Sequence, residues 1–139
     1  MTERAKELFE ENGATFAAVS PQGEYISLKR GVAPIIDKYD EDSGFFNDAC
    51  VVDKVIGKAA AMLLVRYGVK EIHTNLISNG ALEFLKDKNI KLTYNTKTEY
   101  IINRTKTDIC PMEKCVMDVS DEAMGEILIR EKLLEMKTK

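Results

Sequence analysis

The sequence predicts a single α/β domain over residues 1–139, in which a three-layer arrangement places flanking helices around a mixed β-sheet of about five strands. Segments with strand-like alternation and segments with helical periodicity follow one another after an opening hairpin, an order typical of such sheets. The length of 139 residues and the hydrophobic fraction of 45% are sufficient for one core of ordinary size.

The N-terminal elements are a helix and a hairpin. Residues 2–12 place apolar side chains on one helical face, and Asn12 and Gly13 end this helix. Strand-like segments at 15–19 and 24–30 flank a short turn, which predicts two antiparallel strands.

The next segments are a connection and a buried helix. Residues 31–47 contain an acidic cluster and little periodicity, with a short helix expected at 33–38. Residues 52–67 are apolar almost all round and are followed by Gly68, which predicts a central helix packed between the sheet and another element.

The C-terminal half continues the alternation of strands and helices. We expect a strand at 70–77, a short helix at 80–88 and a strand at 91–94. An extended apolar segment at 100–103 completes the predicted sheet. The final helix follows Ser120, with acidic residues in its first turn and basic residues in its last turns, as the helix dipole favours.

The bulk properties exclude several classes of protein. The net charge of −3 and the pI near 5.3 argue against a general nucleic-acid or anionic-membrane binder. No apolar run reaches the roughly 18 residues of a membrane helix, and the N-terminal residues lack a signal-peptide core. Three cysteines are a sparse set typical of reduced thiols, so a cytoplasmic location is expected.

The predicted central helix carries the first candidate site residues. Lys58 is the only charged residue between positions 55 and 65, and Gly57 costs about 1 kcal/mol in a helix interior, which indicates a close backbone approach. Lys54 lies one helical turn before Lys58, and Asp53 is placed at the helix start. Two interpretations stay open: a snorkelling lysine beside a packing glycine, or a lysine that faces a ligand.

A second candidate lies at Cys110. Pro111 follows it and Glu113 comes three residues later, a pattern typical of a helix start. This would place the thiol near unpaired backbone N–H groups, which favour the thiolate, and Glu113 would be a capping partner or an acid/base group. A buried or capping cysteine, a functional thiol and a metal ligand are the alternatives. The spacing to Cys115 supports neither a disulfide nor a conventional zinc site.

Two polar pairs lie at predicted strand ends. Asn103 and Arg104 are placed to project a guanidinium toward a carboxylate or phosphate, or to pair with the acidic connection. Ser78 and Asn79 precede a helix, where their backbone donors suit an anion or simply cap the helix. His73 has no partner pattern and is interpreted as structural.

The combination of these segments resembles the DUF1893 family, a small prokaryotic family, over about residues 12–118. The resemblance implies a cytidine-deaminase-like fold, with an opening hairpin and a mixed five-stranded sheet. The segments that carry it are Asp53-Lys-Val-Ile-Gly-Lys-Ala-Ala-Ala, Ile77-Ser78 before a short helix, and Asn103-Arg104 followed by Cys110-Pro-Met-Glu.

The sequence departs from zinc deaminases at both metal-binding positions. Those enzymes carry His/Cys-x-Glu and Pro-Cys-x-x-Cys at two helix starts, where zinc activates water. The corresponding positions here are Val52-Asp-Lys-Val and Ser78-Asn-Gly-Ala, so we expect neither a metal nor a cofactor. The resemblance implies the location of a pocket but not deaminase activity.

The predicted function is therefore the binding of a small anionic or nucleotide-like molecule at the N-termini of the central helices, and whether the protein is an enzyme stays open. One alternative is a non-enzymatic regulatory module that forms a homodimer through apolar residues of the final helix, and another is a thiol enzyme. The candidate catalytic residues are Cys110, Glu113 and Lys58. The candidate ligand-binding residues are Asp53, Lys54, Gly57, Ser78, Asn79, Asn103 and Arg104. The candidate dimer residues are Ile127, Leu128, Leu133 and Leu134.

Overall fold

A computed structural model describes residues 1–102 and 108–137 of the chain. These residues form one five-stranded mixed sheet with helices packed on both faces, which confirms the predicted α/β class. In chain order the described elements are α1 (Thr2–Glu11), β1 (Phe16–Ser20), β2 (Gly23–Ser27), α2 (Ala33–Glu41), β3 (Cys50–Ile56), α3 (Lys58–Arg66), β4 (Glu71–Ser78), α4 (Asn79–Leu85), β5 (Lys91–Thr98), α5 (Pro111–Cys115) and α6 (Glu122–Lys137).

The strand order in the sheet is β2-β1-β3-β4-β5. The predicted hairpin is confirmed, because β1 pairs antiparallel with β2, and β1 also pairs antiparallel with β3. Strands β3, β4 and β5 are parallel and are joined by crossovers that contain α3 and α4. The carboxyl ends of these three strands therefore meet at one edge of the sheet, where α3 and α4 begin.

The predicted helix at 52–67 is wrong in its first half. Residues Cys50–Ile56 form β3, which lies between β1 and β4, and only Lys58–Arg66 are helical. Four of the seven residues of β3 are Val or Ile, whose branched side chains favour strands. Because both the strand and the helix are buried, the apolar run continues across Gly57 without a change that separates them.

The predicted strand at 100–103 is also wrong over residues 100–102, and Asn103 lies outside the described residues. The fifth strand is β5, which is longer than the expected segment at 91–94, whereas Ile102 makes an isolated bridge to Ile109 in the described part of the chain. Strand β5 lies at the sheet edge and is mostly exposed and polar. Its C-terminal half therefore lacks the apolar alternation that indicates a strand.

The core lies on the face of the sheet that α3 covers. Six consecutive residues of α3, from Ala59 to Leu64, are buried, and α6 packs on α3 through Ile129. Helix α1 covers part of the opposite face, where Ala5 and Leu8 contact β1 and β3. No helix in residues 1–102 or 108–137 combines the length and apolar composition needed to cross a lipid bilayer.

Candidate functional site

The carboxylate of Glu113 lies against the N-terminus of α3. Helix α5 begins after Cys110 with Pro111 in its first turn, as predicted. The Glu113 side chain is buried and accepts hydrogen bonds from the backbone N–H groups of Lys58 at 3.0 Å and Ala59 at 3.1 Å. Such N–H groups have no partner within their own helix and lie at the positive end of its dipole. Glu113 therefore caps α3, a helix more than fifty residues earlier in the chain.

Ser78 connects this carboxylate to the next helix. Its hydroxyl accepts a hydrogen bond from the backbone N–H of Ala81 at 3.1 Å, so the predicted cap of α4 is present. The same hydroxyl donates to Glu113 Oε1 at 3.1 Å, and the side chain is only 1% exposed. The starts of α3 and α4 are thus held together through one buried carboxylate.

Gly57 leaves the space that the carboxylate occupies. A Cβ atom at this position would lie 2.3 Å from Glu113 Cδ, far inside van der Waals contact. The close approach expected from the sequence is therefore found, but Gly57 is the N-cap residue of α3 rather than part of a helix interior.

A cavity of about 370 Å³ opens beside Glu113, at the carboxyl ends of the parallel strands. One face of α4 forms a wall with Gly80, Glu83 and Phe84, which recur at helical spacing, and Asp87 in the turn after α4 extends this wall. The other lining residues come from α3, from the end of β4, from the segment after β5, from Lys88 after α4, from α5 and from the region between α5 and α6. They are Lys58, Ser78, Lys88, Glu99, Tyr100, Glu113, Met117 and Ser120.

The cavity brings together three of the predicted site residues, Lys58, Ser78 and Glu113. Lys58 is at the start of α3, and its ammonium donates to the carbonyl oxygen of Met117 at 3.1 Å. Lys58 thus lies at the cavity, as a ligand-facing lysine would, and its ammonium has a partner in the chain, so the structure does not decide between the two interpretations of this lysine.

The α4 wall is the part of the cavity that sequence reasoning missed. Phe84 lies at the boundary between the core cluster and the cavity. Glu83 lies in α4 and Asp87 in the turn after it, and their spacing of four residues is the signal that could have identified the wall.

Asp53 and Lys54 do not line the cavity, contrary to prediction, because they belong to β3 instead of a helix start. Lys54 is exposed. Asp53 is buried, and its Oδ2 atom has no hydrogen-bond partner in the part of the chain that the structure describes. Burial raises the pKa of Asp53 well above its usual value, and backbone N–H groups of Val55 and Lys54 offset only part of this effect.

The thiols lie outside the cavity lining. Cys110 is the N-cap residue of α5, but its sulfur makes no capping hydrogen bond, so the predicted thiolate-stabilising contact is not found. The Cys115 thiol donates to the carbonyl oxygen of Met112 at 3.1 Å, and burial raises the pKa of the Cys115 thiol. Neither thiol is therefore placed to react with a molecule in the cavity.

The remaining candidates do not contribute to the described site. Asn79 is the first residue of α4. It is exposed and does not line the cavity. Asn103 and Arg104 lie outside the described residues. His73 is on β4, where its Nδ1 lies 2.7 Å from Thr93 Oγ1. Within residues 1–102 and 108–137, no three His, Cys, Asp or Glu side chains form a group that could hold a metal ion.

The comparisons with known proteins cover the elements that build this cavity. A family model described as a domain of unknown function (DUF1893) matches residues 4–133. The fold is similar to the crystal structure of a DUF1893 family protein from Thermotoga maritima. The TM-score is 0.80 and the sequence identity is 27%, over 96% of this chain and 88% of that chain. No curated protein matches the chain.

Proposed function

Because the chain belongs to the DUF1893 family, which is defined by a domain of unknown function, we propose its function from the cavity itself. The protein binds a small organic molecule at the carboxyl ends of β3, β4 and β5 and does not transform it. The single observation that carries this proposal is the cavity of about 370 Å³ whose floor holds the buried Glu113 carboxylate. Volumes of this size are typical of ligand sites, as is the position at parallel strand ends.

The state of Glu113 argues against catalysis at this floor. Both carboxylate oxygens accept hydrogen bonds from protein groups, so the contacts of Glu113 are those of a cap of α3. The thiol enzyme is the weaker alternative, because Cys110 does not line the cavity. The likeness to cytidine deaminases stays a prediction, and the proposed function includes no deaminase step.

Self-association through α6 also stays a prediction. Ile127 and Leu134 are 53% and 66% exposed on this helix, while Leu133 packs against the core. Together with Met124 and Met136, which are also exposed on α6, Ile127 and Leu134 still offer less than the roughly 800 Å² that each partner buries in a stable interface. A small-molecule site is therefore the function that the described surface supports best.

Thermal unfolding of the full chain with a defined set of compounds tests this proposal. The set contains nucleosides, nucleoside monophosphates and indole compounds of each charge, added at 1 mM. We expect at least one class to raise the unfolding temperature, because a ligand that binds only the folded state at ten times its Kd contributes about 1.4 kcal/mol. Calorimetric titration then gives the affinity of that class.

Two substitutions at Gly80 provide the matched control. A Cβ here would meet no atom closer than 3.6 Å, so Gly80→Ala should fold and keep most of the cavity. The larger side chain of Gly80→Leu extends toward Lys58 and Ser78 and should abolish the ligand-induced shift while the protein still unfolds cooperatively. An unchanged shift in Gly80→Leu, or no shift with any class, would overturn the proposal.

A further inference from the structure

We infer that the ligand of this cavity is an organic cation, an amine carried on an aromatic or apolar body. The inference rests on the proposed binding function and adds the chemical class of the ligand. It opposes the anionic ligand expected from the sequence. The charges at the cavity, the hydrogen-bond donors at its floor and the apolar surface at its mouth each support it.

The charged groups of the lining are predominantly acidic. Four carboxylates line the cavity against two ammonium groups. Glu113 is satisfied by helix N–H groups, but Glu83, Asp87 and Glu99 make no ion pair with any side chain in the described ranges. An anion entering the cavity would meet these three carboxylates, whereas a cation would pair with them.

The two lysines of the lining are already engaged. The Lys88 ammonium lies 3.7 Å from a Glu122 carboxylate oxygen and 4.7 Å from the centre of the Phe84 ring. The Lys58 ammonium donates to the carbonyl oxygen of Met117. Within the described residues, neither lysine forms an ion pair with Glu83, Asp87 or Glu99, so these acidic groups of the lining are left for a ligand.

The donors that would hold an anion at the floor are occupied by the protein. An anion at the start of α3 would need the backbone N–H groups of Lys58 and Ala59 and the hydroxyl of Ser78. All three donate to Glu113 at 3.0–3.1 Å. The chain therefore supplies its own anion at this position, and a second one would have to displace a buried carboxylate.

Apolar surface at the mouth supplies the second part of the ligand site. Tyr100 is 43% exposed and Met117 is 41% exposed, and both line the cavity together with the buried ring of Phe84. Covering such surface is favourable by about 25 cal/mol per Å². An aromatic face also attracts a cation that lies over it. An amine with an aromatic body satisfies both the carboxylates and this surface.

Three indole compounds of similar shape isolate the charge of the ligand. Tryptamine is a cation, tryptophol is neutral and indole-3-propionate is an anion, and each is titrated calorimetrically into the full chain. We expect the tryptamine Kd to be lower than that of tryptophol by about tenfold, since each exposed ion pair contributes up to about 1 kcal/mol. This advantage should shrink between 20 mM and 500 mM NaCl because salt screens exposed charges.

Variants of the lining assign this preference to the cavity. The double variant Glu83→Gln/Asp87→Asn should lower tryptamine affinity by about tenfold and leave tryptophol unchanged. Lys58→Met removes a like charge and should raise tryptamine affinity by about twofold to fivefold, the opposite of its effect on an anion. Glu131 is an exposed residue of α6 outside the lining, so Glu131→Gln is the matched control and should change neither affinity.

The outcomes distinguish this inference from the proposed function. Equal affinity for the three indoles, tighter binding of indole-3-propionate, or binding of nucleosides without any indole would overturn the inference and leave the binding function standing. The absence of binding by every class of compound would overturn both. A tryptamine preference that the Glu83 and Asp87 changes do not reduce would place its origin outside the cavity and also overturn the inference.

Discussion

Replacing Glu113 by alanine is expected to lower the free energy of unfolding by about 3–4 kcal/mol. Hydrogen bonds to a charged group contribute about 1.5–3 kcal/mol each in mutational series, and three of them end on this buried carboxylate. Water from the neighbouring cavity replaces part of the loss, so the three contributions do not simply add. Urea unfolding at pH 7 measures the change.

The matched control is Glu83→Ala. Glu83 lines the same cavity but is exposed and has no ion-pair partner in the described residues, so its removal should change stability by less than about 0.5 kcal/mol. Glu113→Gln keeps an acceptor but loses the charge, and an intermediate cost of about 1–2 kcal/mol is expected. If Glu113→Ala is as mild as Glu83→Ala, Glu113 does not cap α3.

A second substitution tests whether Gly57 and Glu113 act as one unit. In the wild-type chain, Gly57→Ala should cost about 2–3 kcal/mol, because its Cβ would overlap the carboxyl group that three hydrogen bonds hold in place. In the Glu113→Ala background the same change should be nearly neutral. A double-mutant cycle should therefore give a coupling of about 2 kcal/mol, and additive costs would contradict the packing described at the start of α3.

Local patterns in the sequence predicted most of the fold. The hairpin could be predicted because two alternating segments flank a short turn, and β4 because the apolar run after Gly68 is short. Strand β3 could not be separated from α3, since both are buried and the apolar composition does not change between them. The C-terminal half of β5 was missed for the opposite reason, because an exposed polar edge strand carries no apolar signal.

The site could be predicted only in part because its main contacts are long-range. The pattern around Cys110 and Pro111 indicates a helix start and draws attention to Glu113. No local sequence pattern shows that this carboxylate caps α3, since Glu113 and Lys58, which share the hydrogen bond, are separated by 55 positions. The glycine before Lys58 indicated a close approach without identifying its partner. The start of α3, where an anionic ligand was expected, is thus occupied by a carboxylate of the same protein.

The stability of Asp53→Asn relative to that of wild type is expected to increase as the pH rises. Asp53 lies level with Phe16 and Thr74 on the neighbouring strands, and the Thr74 hydroxyl donates to the carbonyl oxygen of Leu76 instead. Among the residues that the structure describes, one oxygen of this buried carboxyl group therefore has no hydrogen-bond partner, and burial raises the pKa of Asp53 well above its usual value. The neutral form of the acid is favoured in the folded protein.

The direction of the pH effect follows from linkage. Because the folded pKa of Asp53 is raised, its contribution to stability is complete below the unfolded pKa of about 3.9 and is lost as the pH rises through the folded pKa. Asparagine does not titrate, so the stability of Asp53→Asn minus that of wild type should increase by up to about 1.4 kcal/mol per pH unit in this window. Urea unfolding at several values between pH 4.5 and pH 8 measures this slope. Any cost of burying the amide is independent of pH and shifts the difference without changing its slope.

Asp40→Asn supplies a control of opposite sign. Arg130 donates two hydrogen bonds to this more exposed carboxylate and lowers its pKa, so its contribution to stability is present above the unfolded pKa and is lost as the pH falls through the folded one. Wild type should therefore gain stability over Asp40→Asn between about pH 3 and pH 5, and the gain should be small because the pair is exposed to solvent.

Parallel stability curves for Asp53→Asn and wild type from pH 4.5 to pH 8 would mean that Asp53 is ionised in the fold. Its unpartnered oxygen would then require a compensating positive charge or water that the described residues do not supply.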